Sequence, residues 1–197
     1  MSTKSEIVRS PIAGGFTEAA LDAFLHSRDD PAWLIERRRQ AFARFQSFPL
    51  PSARDEEWRR TDIRGLRLDT FTPRFAEAPG QEEVAAFDDI WESLSKHYAT
   101  GIEHINGASV RHPDLSRHGG AIFIDLDRAV KECPEILNRY LLTEAVTAAD
   151  DFFAALHAAF WAGGTLLYVP KGVKIEAPLF SLIGLAGGGR VDLSHTL

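Results

Sequence analysis

An apolar run from Phe152 to Val169 constrains the fold of this chain more than any other feature of its sequence. Nearly every residue in the run is apolar, and its length approaches that of a short membrane-spanning helix. Gly163-Gly164 divides the run, and the pattern changes there from helical spacing to a short β-rich stretch. We therefore predict a buried helix followed by a buried strand, with no membrane span.

Beyond Gly164 the sequence indicates β-structure alone. Short strands are predicted at Thr165–Val169, 174–176, Leu179–Ile183 and 191–194, with turns at 170–172 and 187–189. Short strands with tight turns at this spacing suit a β-helix, a sandwich or a barrel. The sequence stops at Leu197, inside this pattern, where a sheet would have an unpaired edge. We therefore expect the chain to be truncated.

The preceding part of the chain is predicted to be mostly helical. Thr17 is a suitable N-cap, and a second helix is expected from Asp30-Pro31 to about Phe45. A short amphipathic helix is predicted at 87–97. Asn106-Gly107 predicts a hairpin, because both residues tolerate positive φ. The next elements are a strand at 121–125, a helix over 126–142 that Pro134 weakens, and a helix that Asp150-Asp151 opens.

The charge and the single cysteine limit the function classes. The net charge of −6 argues against a protein that mainly binds nucleic acid, which normally carries a basic face. The basic stretch Arg37-Arg38-Arg39 with Arg44 is diluted by Glu36, so a solvated helix face is expected there. Cys133 is the only cysteine, which excludes an internal disulfide and fits the cytoplasm. The first residues show no secretory signal.

The residues that could suggest a metal or catalytic site form no convincing pattern. His104, His112 and His118 cluster with Asp114 but match no compact zinc spacing, so surface or structural roles are expected. His157 is expected to be a hydrogen-bonded, partly buried histidine beside an apolar helix face. The surroundings of His195, near the end of the sequence, are left open.

Three further motifs have structural interpretations that we prefer. Cys133 has no CxxC partner, so a packed thiol is expected rather than a cluster ligand. The glycine-rich stretch 187–190 lacks the Walker A pattern and suits turns between β-coils. Trp58 is expected to anchor its loop in the core, although Arg59-Arg60 beside it could instead bind carboxylates of a partner.

Two segments carry a family resemblance. The first is Glu56-Glu57-Trp58-Arg59-Arg60-Thr61-Asp62 followed by Leu66; the second is 151–160, then 164–173, then Pro178. Together with Asn106-Gly107 and the passage at 120–130, they make residues 20–197 similar to the SufB/SufD family. The first segment resembles the SufD branch, from which Arg60 departs because tyrosine is common there.

The resemblance implies an α+β fold. An N-terminal helical region and a small α/β segment would lead into the first coils of a right-handed parallel β-helix, which this chain truncates. The implied boundaries are a flexible N-terminus at 1–15, the helical region at 16–100, the α/β segment at 101–162, and the incomplete β-helix core at 163–197.

The resemblance also implies a scaffold subunit of the SUF iron–sulfur cluster assembly complex, not an enzyme. The implied partners are a SufB-like subunit and a SufC-like ABC-type ATPase, with neither nucleic acid nor membrane. The family's docking and cluster-assembly residues lie nearer the C-terminus and match no position here. We therefore expect no catalytic, cofactor-binding or metal site, and no cofactor, in this fragment.

Two alternatives stay open. One is a SufB-like scaffold subunit. The other is a β-helix enzyme whose active site lies beyond residue 197, because such an enzyme needs paired carboxylates or a histidine on its coils. The coil region present here offers only Glu176, Asp192 and His195.

Overall fold

The computed structural model describes residues 15–75, 77–98, 100–112, 117–118, 120–176, 178–187 and 191–197. The described helices are α1 (Glu18–His26), α2 (Ala32–Ser47), α3 (Gln81–Ala85), α4 (Asp88–Ser95), α5 (Leu126–Glu132), α6 (Pro134–Tyr140) and α7 (Phe152–Phe160). The described strands are β1 (Thr100–Ile105), β2 (Ala108–Arg111), β3 (Arg117–His118), β4 (Ala121–Asp125), β5 (Gly164–Tyr168), β6 (Leu179–Gly184) and β7 (His195–Thr196). The stretch 1–14, predicted to be flexible, lies outside the described residues.

Helix α1 starts at its predicted side-chain cap, whereas α2 has none, because Pro31 occupies its N-cap position and the Asp30 carboxylate accepts from Arg38 instead. The Thr17 hydroxyl accepts a hydrogen bond from the Ala20 N–H at 3.1 Å, which confirms the predicted cap of α1. Helix α2 follows Pro31 and packs along α7. Phe24 and Phe42 contact Phe160 of α7 with ring centroids 5.5 and 5.9 Å apart. This aromatic cluster joins the first two helices to the second half of the chain.

Two small mixed sheets follow the helices. One has the strand order β2-β1-β6 and the other β3-β4-β5-β7. Strands β1 and β2 form the predicted hairpin, with positive φ at Asn106 (52°) and Gly107 (77°). The pairs β1–β6 and β5–β7 are parallel, whereas β4–β5 and β3–β4 are antiparallel. Each sheet therefore combines a local pairing with pairings between strands that are far apart in sequence.

The apolar run from Phe152 to Val169 divides as predicted. Its first part is α7, and its second part begins with β5 at Gly164. One face of β5 packs on a second core formed by α2, α5 and α6, with Leu166 only 1% exposed. Across the described part of the chain, no helix combines the length and apolar character that crossing a membrane requires.

The predicted helix over 126–142 is wrong in one respect, because it is two helices. Helix α5 ends at Glu132, and Pro134 occupies the first turn of α6. Proline lacks an N–H and clashes with the preceding turn, so the helix breaks there and restarts. Cys133, predicted to be a packed helical thiol, lies at the break and is buried at 5% exposure.

Two predicted strands are absent from the described ranges. Residues 174–176 are irregular, and the exposed side chains of Lys174 and Glu176 lie 3.6 Å apart. Residues 191–194 are also irregular, because the Ser194 N–H donates to Asp192 Oδ1 at 2.7 Å. Such a local side-chain bond competes with the sheet ladder. The last strand therefore starts later, at His195.

Gly164 is packed too tightly against β7 to accept a side chain. Its φ is +120°, and an added Cβ would lie 1.9 Å from the His195 carbonyl oxygen. We expect Gly164→Ala to lower the free energy of unfolding by about 2–3 kcal/mol, because strain and a backbone clash add. The loss is limited because β7 can separate from β5. Urea unfolding monitored by circular dichroism measures it.

Gly172 provides the matched control for this substitution. Its φ is +83°, but an added Cβ there would meet nothing within 4 Å. Gly172→Ala therefore measures the cost of backbone strain alone. Equal losses for the two variants would contradict the packing of Gly164 against β7.

Candidate functional site

A buried arginine joins the N-terminal helices to the end of α7. The Arg38 side chain is fully buried, and its Nε donates to Asp30 Oδ2 at 2.9 Å. Its Nη1 donates to the carbonyl oxygens of Trp161 at 2.9 Å and Ala159 at 3.3 Å. These carbonyls lie at the C-terminal end of α7, where helical carbonyls lack partners within the helix. Arg38 therefore caps α7 from α2.

The position of Arg38 corrects the expectation of a solvated basic face. Arg39 is exposed and Arg37 is half-buried, but Arg38 lies inside the core. Arg38 follows Leu34 by four residues and precedes Phe42 by four, so it belongs to the apolar stripe of α2. That spacing was the signal in the sequence. The sequence does not show that a buried carboxylate lies near Arg38. Without that knowledge, the spacing of Arg38 is equally compatible with an arginine on the helix surface.

Arg28, Asp30 and Asp127 join Arg38 in what we call the buried ionic cluster, at whose edge the Asp127 side chain is 38% exposed. Arg28 lies 3.3 Å from Asp30 and 2.5 Å from Asp127 of α5. The Arg38 guanidinium lies 4.2 Å from the centroid of the Trp161 ring. Burial, followed by the nearby charge of Arg28, lowers the pKa of Arg38 to about 9. Arg38 thus remains charged at neutral pH, and Asp30 is the partner that makes its burial tolerable.

Two histidines that the sequence left separate meet in the structure. His157 Nε2 of α7 lies 3.0 Å from His195 Nδ1 of β7. Burial, together with His195 and Arg38, lowers the pKa of His157 to about 4. Burial also lowers the pKa of His195. Both imidazoles are therefore neutral near pH 7, and one N–H can donate to the other ring. The expectation of a hydrogen-bonded, partly buried His157 is confirmed.

The two histidines of the hairpin cluster whose side chains the structure describes, His104 and His112, differ in burial. His104 is fully buried on β1, whereas His112 is exposed. Burial lowers the pKa of His104, so its imidazole is neutral. Asp114 lies outside the described residues, and so does the side chain of His118. Within the described ranges, no three histidine, cysteine, aspartate or glutamate side chains come together in a way that could hold a metal ion.

The hairpin is tied to α4 by an ionic group that the sequence did not reveal. The buried carboxylate of Glu103 lies 3.0 Å from Arg111 Nη1, and these two residues pair across β1 and β2. Arg111 also pairs with Asp88 and lies 5.4 Å from the centroid of the Trp91 ring. Burial raises the pKa of Glu103. Arg111 thus links Glu103 of β1 to Asp88 of α4 by charge, although neither oxygen of Glu103 has a hydrogen-bond partner among the described residues.

Trp58 anchors its loop as the sequence predicted, but at the edge of the core rather than inside it. Its ring lies 5.1 Å from that of Phe153 on α7, and the indole is half-buried. Arg59 pairs with Glu56 at 3.4 Å on the surface. The loop that carries the first family-like segment is therefore anchored to the helix that begins the second. Most of the glycine-rich stretch 187–190 lies outside the described residues.

The two sheets meet at a pair of hydroxyls, and the exposed side chains that follow this pair along β5 and β6 are apolar. The hydroxyls of Thr165 on β5 and Ser181 on β6 lie 2.8 Å apart. Alternate residues of a strand share a face, so the next residues on these two faces are apolar. We call them the open inner face: Leu167, Val169, Ile183 and Leu185, each between 41% and 54% exposed. Leu167 and Ile183 lie on β5 and β6, and Val169 and Leu185 directly follow the ends of these strands.

Comparison with known proteins identifies the family. A family model described as SufBD protein N-terminal region matches residues 22–180. An iron-sulfur cluster assembly SufBD family protein of Staphylococcus aureus (strain USA300) is 27% identical over 180 residues, covering 84% of this chain and 37% of the relative. A SufBD family protein of Staphylococcus haemolyticus (strain JCSC1435) is 28% identical over the same shares.

The matched region and the resemblance found in the sequence agree. The chain spans 37% of the length of these curated relatives. The family match includes the buried ionic cluster, α7 and β5, and it ends at the start of β6. Because the match covers most of the sequence, this chain belongs to the SufBD protein family.

Proposed function

We propose that this chain forms the N-terminal region of a SufD-like scaffold subunit in an iron–sulfur cluster assembly complex. The observation that carries the proposal is the family match over residues 22–180. The relatives described above are named as iron-sulfur cluster assembly proteins. The proposed partners are a SufB-like subunit and a SufC-like ABC-type ATPase in the cytoplasm. We assign this region a structural role, without catalysis or a cofactor of its own.

The choice of SufD over SufB depends on the segment Glu56–Asp62. This segment resembles the SufD branch, and its Trp58 packs on Phe153, where it joins the loop to α7. A SufB-like subunit is the alternative that fits the family match equally well. Both alternatives give the chain the same kind of role within a complex.

The pairing of the last three strands supports a β-helix that continues beyond them. The chain passes from β5 in one sheet to β6 in the other, and then returns to pair β7 parallel with β5. Strand β1 also pairs parallel with β6. A path that returns to a parallel neighbour in this way is how successive coils of a β-helix stack. We propose that the next coil covers the open inner face.

The open inner face gives a differential test of this architecture. We expect Leu167→Ala to cost about 2 kcal/mol in a longer protein that includes the proposed next coil, because the side chain would be buried there. In the 197-residue chain, where Leu167 is 41% exposed, the loss should stay below about 0.5 kcal/mol. Thermal or urea unfolding of both proteins measures the difference.

Val146 is the matched control, because it is 48% exposed but lies in a loop outside the open inner face. Val146→Ala should have the same small effect in both proteins. A similarly small loss for Leu167→Ala in the longer protein would contradict the proposed coil.

Depletion of the protein in its own cells tests the proposed function. Iron–sulfur enzymes should lose activity while their polypeptides remain, and supplying the gene again should restore them. An enzyme that has no cluster should keep its activity and serves as the control. Unchanged cluster occupancy after depletion would contradict a role in cluster assembly.

A further inference from the structure

Side chains of α2, α6 and β5 form a surface strip of aromatic rings and guanidinium groups. We call it the aromatic–arginine strip: Trp33, Arg37, Arg139, Tyr140 and Tyr168. Tyr140 is 36% exposed, Arg139 is exposed, and the other three side chains are half-buried. Trp33 and Tyr168 pack against the same buried core, to which α2, α5, α6 and β5 contribute. The strip therefore lies on a packed floor and is accessible to solvent.

Two contacts of Arg37 join α2 to α6 at one end of the strip. Arg37 Nη2 donates to the carbonyl oxygen of Asn138 at 2.7 Å and to the Asn138 side-chain oxygen at 2.6 Å. The Arg37 guanidinium also lies 5.1 Å from the centroid of the Trp33 ring. A side chain that is already fixed loses less conformational entropy when a partner binds. This end of the strip is therefore preorganised.

Two aromatic contacts continue the strip to β5. The Arg139 guanidinium lies 5.1 Å from the centroid of the Tyr140 ring, and that centroid lies 6.5 Å from the centroid of the Tyr168 ring. Asn138, Arg139 and Tyr140 are consecutive, exposed residues of α6, so the two ends of the strip meet on the surface of this helix. The strip is thus continuous from α2, over α6, to β5.

The polar groups of the strip are available to a partner. Trp33 Nε1 and the hydroxyls of Tyr140 and Tyr168 form no hydrogen bond with a described residue, and none of these three side chains is fully buried. Neither arginine of the strip forms an ion pair within the described ranges. A guanidinium that lies over a ring keeps N–H groups at its edge with which it can bind a carboxylate. Arg139 therefore presents an exposed cation with free donors.

We propose that the aromatic–arginine strip is a docking surface for an acidic segment of a partner protein. Tryptophan, tyrosine and arginine are the residues that most often dominate the binding energy of protein interfaces. Two cations without ion pairs on a protein of net charge −6 make this surface complementary to carboxylates. The rings supply apolar contact, and their N–H and hydroxyl groups bond the segment's backbone. The inference rests on the proposed function, because a scaffold subunit acts through its partners.

Nucleic acid is the other occupant that these residue types suggest, and the charge of the protein disfavours it. Aromatic rings and arginines also stack on single-stranded bases. Affinity for nucleic acid, however, depends on neutralising many phosphates, and the strip supplies two cations on an acidic protein. An acidic peptide is held by one or two charge-assisted hydrogen bonds together with apolar contact.

Photo-cross-linking within the endogenous complex tests this surface. The photoreactive residue p-benzoylphenylalanine replaces Tyr140 of the protein in its own cells, and the companions of the purified protein are identified by mass before irradiation. We expect cross-linking to one partner segment in which Asp and Glu outnumber Lys and Arg. Tyr98 is the matched control position, because it is also 36% exposed but contacts Phe180 of β6 instead. Replacement of Tyr98 should give no cross-link to that segment.

Charge variants in the same complex measure the electrostatic part of the contact. Arg139→Gln should lower the cross-linking yield about fivefold, because one charge-assisted contact is lost. Glu135→Gln should raise the yield, because Glu135 is exposed and precedes Arg139 by one helical turn, where it competes with the partner's carboxylates. Arg54→Gln is the matched control, because Arg54 is exposed and forms no ion pair with any residue that the structure describes, but lies outside the strip. All three side chains are exposed, so the variants should fold.

The other results would overturn the docking surface. Cross-linking to a neutral or basic segment, to nucleic acid, to a second copy of the chain or to a later part of the same chain would identify a different occupant. Equal yields with and without Arg139→Gln would show that charge does not hold the partner. An intact complex without a cross-link at Tyr140 would overturn the docking surface and leave the proposed function in place. Recovery of the protein without companions would overturn both.

Discussion

Replacement of Asp30 by alanine is expected to lower the free energy of unfolding by about 3–5 kcal/mol, the usual cost of leaving a buried charge without its partner. The Asp30 side chain is 4% exposed and accepts from Arg38, which is fully buried. Removing the carboxylate leaves the Arg38 guanidinium with only carbonyl acceptors, beside the like charge of Arg28. Urea unfolding, with the slope checked for constancy, measures the loss.

Asp22→Ala is the matched control for this experiment. Asp22 accepts from Arg39 at 2.9 Å, the same distance that separates Asp30 from Arg38. The surface pair is nearly half exposed on both sides, so its loss should cost below about 1 kcal/mol. Similar losses for the two variants would show that burial does not increase the contribution of the Asp30–Arg38 pair to the free energy of unfolding.

The stability of the protein is expected to fall steeply below about pH 6.5 because His157 is buried in its neutral form. Its pKa is lowered to about 4 in the folded protein, whereas an unfolded histidine has a pKa of about 6.5. Above pH 6.5 neither state is protonated, so the stabilisation is complete. Between about pH 6.5 and 4 only the unfolded state binds the proton, so stability falls by up to about 3 kcal/mol. Below pH 4 this contribution levels off.

Unfolding measured at several pH values separates His157 from other groups. About 2 kcal/mol of the loss should occur between pH 7 and 5, before most carboxylates titrate. His104, fully buried with a lowered pKa, contributes in the same direction. His157→Gln should flatten the slope in this range. An unchanged slope in the His157 variant would contradict its burial as a neutral group.

The helix starts, turns and boundaries that depend on neighbouring residues alone were predictable from the sequence. Thr17 caps α1, Asn106-Gly107 turns the hairpin, and Gly163-Gly164 separates α7 from β5. Each depends on one or two residues with a strong backbone preference. The predictions of strands at 174–176 and 191–194 were wrong because strand formation does not depend on local residues alone. A strand needs a partner in the ladder, and the local sequence does not show whether one is present.

The candidate site depended on contacts that are distant in sequence. Arg38 meets Asp30 within one helical region, but its carbonyl acceptors lie on the far side of the chain, at the end of α7. His157 and His195 likewise come together only because β7 pairs with β5. The open inner face likewise depends on the contact between Thr165 of β5 and Ser181 of β6, which belong to different sheets. The sequence singled out His157 and His195 as residues to consider and placed Arg38 on a solvated helix face, but it did not show which residues meet.

Isolation of the endogenous protein from its own cells, followed by mass analysis of what accompanies it, tests the central claim most directly. The proposed function predicts that an ABC-type ATPase without membrane spans and a second SufBD family subunit are recovered with it in fixed proportions. A tagged protein of similar size and charge is the control for adventitious capture. Recovery of the protein alone under mild conditions, with neither partner, would contradict its role as a scaffold subunit.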